Sequence, residues 1–380
     1  MQVGNTTRLQ KLFEKVKNGE EVTLAFIGGS ITQGAGATPI QEGCYARRTY
    51  EGFITLMEEL LGKKLDRNLI HYRKVGVGGT PSELGMVRYE RDILKHGEIT
   101  PDLVVVEFAV NDADDETHGI CFESLVRTIL LSENAPAVML MFSVFADCWN
   151  LQDHLGPVGV AYDLPMVSAK DAVAVQFDAV GDKRLVTRNQ YFFDKLHPSN
   201  VGHNIMADGL LYAMRQAYHI PASPEKDVAA VTPVFGNTFV NIHLLDRFSG
   251  YEKAQITEGS FTATDTHLQS VEKDFDPHTT PEFQYNWMHQ TGSEAFKLQI
   301  TCKSLVLVFK DSDSAACGKC DVVVNGEKIK TLDPRQVGWV HAHAVILIDS
   351  KEEKSHTVEL SMVSGDEEKE FTILGFGYTN

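Results

Sequence analysis

Val22-Thr-Leu-Ala-Phe-Ile-Gly-Gly-Ser30-Ile-Thr-Gln-Gly-Ala-Gly36 is the stretch that decides how this chain is read. It opens with an apolar run over residues 22–27, long enough for a buried strand. Gly28 and Gly29 follow. Without Cβ atoms they permit a sharp turn and let other backbone come close. Ser30 is next, just past the carboxyl end of the strand, where open α/β sheets bind their ligands. Alone, the same residues fit a strand-to-loop turn with a capping serine. The choice depends on what the chain supplies further on.

Leu9, Leu12, Phe13 and Val16 fall at helical spacing before the first strand, and Tyr45, Phe53, Leu56, Met57, Leu60 and Leu61 do so after it. Residues 70–75 read as a strand ending in Gly76-Val-Gly-Gly79-Thr80. A helix follows over 82–94. Residues 103–110 form an apolar run interrupted by Glu107, ending at Asn111-Asp112. Then come a helix over 121–131, a strand over 137–144, a fifth strand within 162–168 and a helix over 201–218. Short apolar strands alternating with amphipathic helices imply right-handed crossovers and a mostly parallel sheet covered on both faces. Three strand ends carry unusual chemistry: Gly-Gly-Ser30, Gly-Val-Gly-Gly79-Thr and Asn111-Asp112. On one sheet edge they form a site.

Beyond residue 220 the pattern changes. Pro221-Ala-Ser-Pro-Glu-Lys226 reads as a linker, dividing the chain into 1–222 and 223–380. The second part offers short β-like segments at 231–240, 298–301, 305–309, 322–325, 344–348, 357–362 and 371–376. Asn325-Gly326 is a hairpin signal. Short strands separated by turn residues predict an all-β sandwich of jelly-roll type.

The totals bound the function. A chain of 380 residues with 43% hydrophobic content suits two ordinary cores better than one large one. Asp and Glu number 52 against 35 Lys and Arg, a net charge of −17 that repels phosphate backbones. This argues against nucleic acid and anionic membranes as partners. No apolar stretch is long enough to span a bilayer. Residues 1–20 lack the apolar core of a signal peptide, so the expected location is cytoplasmic, with the six cysteines as free thiols. Oligomeric state is not readable.

Asp194-Lys-Leu-His197-Pro198 is the second anchor. A serine nucleophile needs an imidazole to take its proton and a carboxylate to hold that imidazole in the right tautomer. An Asp three residues before a His places both on one turn, and Pro198 stiffens it. The bland alternative is a surface turn with a capping Asp. An oxyanion hole is also required. Its candidate donors are the backbone N–H groups of Ser30 and Gly79 and the side-chain amide of Asn111.

These blocks together resemble the SGNH branch of the GDSL esterases and lipases, over roughly residues 20 to 218. The nucleophile block is Gly28-Gly29-Ser30-Ile31, with Gly29 where that family usually has Asp. Gly79 matches the family glycine, and Ala109-Val110-Asn111-Asp112 matches Gly-x-Asn-Asp with alanine for glycine. Asp194 to Pro198 is intact. The resemblance implies a three-layer α/β/α fold, a Ser30–His197–Asp194 triad, an oxyanion hole of Ser30, Gly79 and Asn111, ester hydrolysis through an acyl-enzyme, and no metal or organic cofactor. The C-terminal β part is similar to the carbohydrate-binding modules of bacterial hemicellulose deacetylases. That likeness implies acetylated oligosaccharides of mannan or xylan type as substrate. Lysophospholipid or thioester cleavage, or acetyl transfer to another sugar, remain as alternatives. Trp149 in the loop after the fourth strand and Trp287 in Phe283-Gln-Tyr-Asn-Trp287 are candidate sugar contacts, with Trp339 a further aromatic. The bland reading of each is core packing. Cys317 and Cys320 have metal-like spacing without a second pair. Asp311-Ser-Asp313 reads as a polar loop, and His341-Ala-His343 as a solvated strand face.

Overall fold

Apolar runs of the N-terminal half form strands β1 (Val22–Gly28), β2 (Ile70–Gly76), β3 (Leu103–Glu107), β4 (Ala137–Phe142) and β5 (Met166–Ser168). All pair in parallel, in the order β2-β1-β3-β4-β5. Register sets the site. Gly28 stands opposite Gly76 on one side and Glu107 on the other, so the loops after β1, β2 and β3 leave neighbouring strands at one level. The structure, a computed structural model, describes residues 2–380.

Strand residues alternate between two buried faces, as a doubly covered sheet requires. Leu24, Phe26, Leu103, Val105, Met139 and Met141 join one core with helices α1 (Thr7–Asn18), α4 (Tyr45–Leu61) and α10 (Asn200–Tyr218). Two short helices, α2 (Ser30–Gln33) and α3 (Ile40–Gly43), lie between β1 and α4. Helix α5 (Ser82–Asp92) follows β2. Helices α6 (Ile120–Leu131) and α7 (Gln152–Ala161) pack on β4 and β5. Helices α8 (Ala169–Phe177) and α9 (Arg188–Tyr191) lead into the His197 loop. The pattern had not shown α7 as a helix: Pro157 lies inside it, between Gly156 and Gly159, and all three are poor helix formers. Among the described residues no helix is long and apolar enough to cross a membrane.

The chain divides into two compact units. The first runs to Gly85, continues over Tyr89–Asn237 and takes in Val271–Thr279; the second comprises Met86–Arg88, Thr238–Ser270 and Thr280–Asn380. The stretch read as a linker is tied into the first unit. Glu225 pairs with Arg8 at 2.6 Å and Lys11 at 2.7 Å. Buried Glu123 on α6 accepts the N–H groups of Val234, Phe235 and Gly236. Residues 231–240, expected as a strand, therefore run as irregular chain with their amides bonded to a side chain instead of a ladder.

The second unit is largely β. Strand β6 (His243–Leu245), helix α11 (Gly250–Lys253) and strand β7 (Gln255–Thr257) come first; the two-stranded sheet of β8 (Ser270–Glu272) and β9 (Thr279–Pro281) brackets the segment that returns to the first unit. Strands β10 (Trp287–His289), β11 (Phe296–Asp311), β12 (Cys320–Val324), β13 (Glu327–Leu332), β14 (His341–Met362) and β15 (Phe371–Thr379) build an eight-stranded sheet with β6 and β7. The segments read separately at 298–301 and 305–309 are one strand. β11 pairs with β7 before Cys302 and with β15 after Ser304, with an irregularity in register at that point. Such an irregularity lets one long strand change partners along its length. Asn325 (φ 51°) and Gly326 (φ 85°) form the β12–β13 turn, the left-handed pair of a type I′ hairpin.

The α/β core buries a histidine on α10. The His203 ring on α10 stacks on Tyr45, accepts the Tyr45 N–H at Nδ1 and donates from Nε2 to the Ala35 carbonyl. Burial lowers its pKa to about 4. The folded protein holds it neutral while an unfolded chain protonates it near the ordinary value, so its stabilisation is complete above that value and is lost as pH falls toward 4. Between pH 7 and pH 5 the wild type should lose about 2 kcal/mol of unfolding free energy relative to His203→Gln. Denaturant titrations of both proteins at the two pH values check this. A constant difference would contradict it.

Candidate active site

Ser30 is the first residue of α2, directly after the β1 turn. Its hydroxyl donates to His197 Nε2 at 3.1 Å, and His197 Nδ1 donates to Asp194 Oδ2 at 2.9 Å. The three side chains come from positions far apart in sequence, and the His197 loop is built to reach Ser30. Phe192 and Pro198 form a bridge, the Phe193 N–H donates to the His197 carbonyl, and Ser199 caps α10. Asp194 Oδ1 accepts the N–H groups of Leu196 and His197, each at 2.7 Å, so one carboxylate folds its own turn and orients the imidazole. Burial would raise the Asp194 pKa, but the hydrogen bond from His197 and those two N–H groups outweigh it and hold it below the usual value. Asp194 therefore stays ionised where it faces the imidazole.

Gly36 lets the two loops meet. Its φ is +86°, and a Cβ there would lie 2.2 Å from the Pro198 carbonyl oxygen and 3.0 Å from the His197 Cβ. A side chain would drive His197 away from Ser30.

Asn111 follows β3 and packs on the nucleophile loop. A Cβ on Gly29 would sit 2.3 Å from Asn111 Oδ1. That oxygen is buried without a partner among the described residues. Gly79 adopts φ +71° in the turn after β2. The Val77 N–H donates to the Gly28 carbonyl, and the Thr80 hydroxyl to the Val77 carbonyl at 2.8 Å, so this turn is fastened beside Ser30. The structure thus gathers Ser30, Gly79, Asn111, Asp194 and His197 in one unit at the carboxyl edge of the sheet. The geometry suits nucleophilic attack by the hydroxyl with proton transfer to Nε2.

Two residues beneath the site escaped the motif reading. Glu107, seen in sequence only as a break in an apolar run, is fully buried. It accepts from the Thr32 hydroxyl at 3.0 Å, from the Ser143 hydroxyl, and from the Thr32 and Gly29 N–H groups. Burial raises its pKa despite these bonds. An acidic residue inside an otherwise apolar strand was the available signal, since a buried carboxyl must find partners. Gln33 had no signal; its side-chain oxygen accepts the Gly78 N–H at 3.0 Å.

The proposed aromatic contacts divide. Trp149 is 38% exposed and stacks on Phe145, in a loop whose Ala146 N–H donates to the Lys195 carbonyl of the histidine turn. Trp287 must be withdrawn as a sugar contact. It is fully buried in the second unit between Phe296 and Phe376, and its indole N–H donates to the Tyr251 hydroxyl. An aromatic that fills a core has no face left for a ligand. Trp339 is half-exposed, edge-on to His341. Asp311 is buried and accepts the N–H groups of Gln336 and Val337, fixing a loop. Cys317 and Cys320 are both buried.

Residues 26–205 match the model of the GDSL-like Lipase/Acylhydrolase family. No curated protein sequence matches the chain. Among solved structures it is similar to a two-domain esterase (CEX) active on acetylated mannans. The TM-score is 0.80 at 24% identity, covering 99% of this chain and 96% of that one. The same esterase co-crystallised with mannopentaose gives a TM-score of 0.77, again at 24% identity over 99% and 96%. These likenesses carry the fold of both units.

The close contact at Gly29 generates a test. Gly29→Ala keeps φ, at −87°, out of the left-handed region and should fold, but the new methyl displaces the Asn111 amide. Ester turnover should fall at least about 100-fold, the loss typical of one oxyanion donor. Circular dichroism and kcat measured together check this. A folded variant with wild-type kcat would contradict it.

Proposed function

We propose that this chain, whose residues 26–205 match the GDSL-like Lipase/Acylhydrolase model, is a serine esterase of SGNH type that removes O-acetyl groups from mannan- or xylan-type oligosaccharides through an acyl-enzyme. The observation that carries the reading is the unbroken hydrogen-bond line from Ser30 Oγ to His197 to Asp194. His197 Nε2 takes the hydroxyl proton as Oγ attacks the acetyl carbonyl carbon. The N–H groups of Ser30 and Gly79 and the Asn111 amide receive the negative charge that forms on the carbonyl oxygen. Asp194 stabilises the imidazolium. The tetrahedral species expels the sugar hydroxyl oxygen, which takes the proton from His197. Water, deprotonated by the same imidazole, then attacks the acetyl-serine and releases acetate and free Ser30.

The sugar substrate is supported by architecture. The mannan esterase is similar across nearly the whole of both chains, β unit included. Trp149 adds a local reason. A half-exposed indole on the loop bonded to the histidine turn presents an apolar face of the kind a pyranose ring covers.

Acetate release from acetylated mannan, xylan and chitin oligosaccharides tests the reading, with p-nitrophenyl acetate and octanoate as controls. Fast release from mannan or xylan with little octanoate cleavage is expected. Octanoate cleavage without sugar deacetylation would move the substrate to lipid or thioester. Ser30→Ala should lose at least about 10⁴-fold in kcat while remaining folded. Trp149→Ala should raise KM for the oligosaccharide about tenfold, roughly 1.4 kcal/mol of lost contact, and raise it less for p-nitrophenyl acetate.

A further inference from the structure

We propose that Gln33, oriented by Glu272, positions the Gly78–Gly79 loop for oxyanion binding, so that a segment encoded in the C-terminal half sets the catalytic rate of the α/β unit. The inference rests on the esterase reading and assigns its site two positioning residues.

The segment Val271–Thr279 belongs to the first unit. It lies along β2, the outer strand of the parallel sheet. The Asp274 N–H donates to the Lys74 carbonyl at 3.1 Å, and the Lys74 N–H donates to Asp274 Oδ1 at 2.9 Å. The Arg73 guanidinium pairs with Asp274 Oδ2. Phe275 stacks on Tyr72 with ring centroids 4.9 Å apart and carries the Arg47 guanidinium 4.2 Å from its own centroid. This fastening places Glu272 where Oε2 accepts from Gln33 Nε2 at 2.7 Å.

The consequence follows from amide chemistry. A glutamine side chain has a donor end and an acceptor end. The Glu272 carboxyl oxygen accepts from the NH₂ end, which turns Gln33 Oε1 toward the loop. That oxygen accepts the Gly78 N–H at 3.0 Å. The Gln33 backbone is held as well, since its carbonyl accepts from the buried Lys74 ammonium at 2.7 Å. Gly78 immediately precedes the candidate donor Gly79, and a Cβ on it would lie 3.7 Å from Ser30 Cβ. Gln33 therefore fixes the peptide leading into the donor, and the Thr80–Val77 bond closes the same turn. Neither Gln33 nor Glu272 touches reacting atoms. They act by preorganising a donor whose value depends on placement.

The test uses the full chain with p-nitrophenyl acetate. Turnover is normalised to serine titrated by an organophosphate, and affinity is measured for an arylboronic acid, which forms a tetrahedral adduct on the nucleophile. Gln33→Ala and Glu272→Ala should lower kcat per titrated site about tenfold, leave KM within about twofold and weaken the boronate by a similar factor, less than the full loss of a donor. Glu272→Gln keeps an acceptor oxygen and should restore most of the rate. Variants with fewer titratable sites but wild-type kcat per site and wild-type boronate affinity would show a purely structural segment and overturn the inference alone. A wild-type chain without Ser30-dependent turnover would overturn the esterase reading together with it.

Discussion

A carboxyl group shut away from water holds the catalytic edge together. Glu107 ends β3 in the middle of the parallel sheet, fully buried. Burying such a group without partners costs several kcal/mol. Here the partners are the nucleophile loop itself, through Gly29 N–H, Thr32 N–H and the Thr32 hydroxyl, and the end of β4 through Ser143. The Thr32 hydroxyl meets the Tyr45 hydroxyl at 2.9 Å, which links α4 to the same cluster. Loops from three neighbouring strands thus share one polar centre, and displacing any of them leaves a buried group unsatisfied. Ser30 sits between two residues that this centre fixes.

The site also depends on surfaces that come too close for side chains. Asn111 lies against Gly29, and the His197 turn lies against Gly36. The glycine at position 29 acquires a physical sense from the first contact. Any side chain there would contest the space that Asn111 fills. The alanine at 109 needs no such explanation: its side chain is buried and small.

Much of this was legible in the sequence, for reasons that differ by element. The strands β1 to β4 announce themselves as short apolar runs because both faces of a parallel sheet are buried. The strand-end blocks and the Asp194–His197 spacing could be read because their chemistry is local, completed within one turn. The rest depends on long-range partners. Glu107 was visible only as an anomaly in an apolar run. Gln33 and Glu272 are 239 positions apart and share no pattern. Trp287 looked available because a composition rich in aromatic and polar residues does not say which faces are covered. The irregular course of residues 231–240 is dictated by Glu123, more than a hundred positions upstream. The return of residues 271–279 to the first unit is likewise a matter of tertiary pairing, since β2 would otherwise expose an unpaired edge.

Two carboxyl groups serve this site, and their environments divide the work. Asp194 is partly exposed and accepts two backbone N–H groups together with the imidazole, so it is held ionised below its usual range. Its charge stands behind the group that becomes an imidazolium. Glu107 is driven the other way, toward its neutral form, because burial outweighs its hydrogen bonds. Environments that push paired carboxyl groups apart mark their separate roles. Asp194 faces the imidazole of His197, and Glu107 supplies hydrogen-bond order to the loop that carries Ser30.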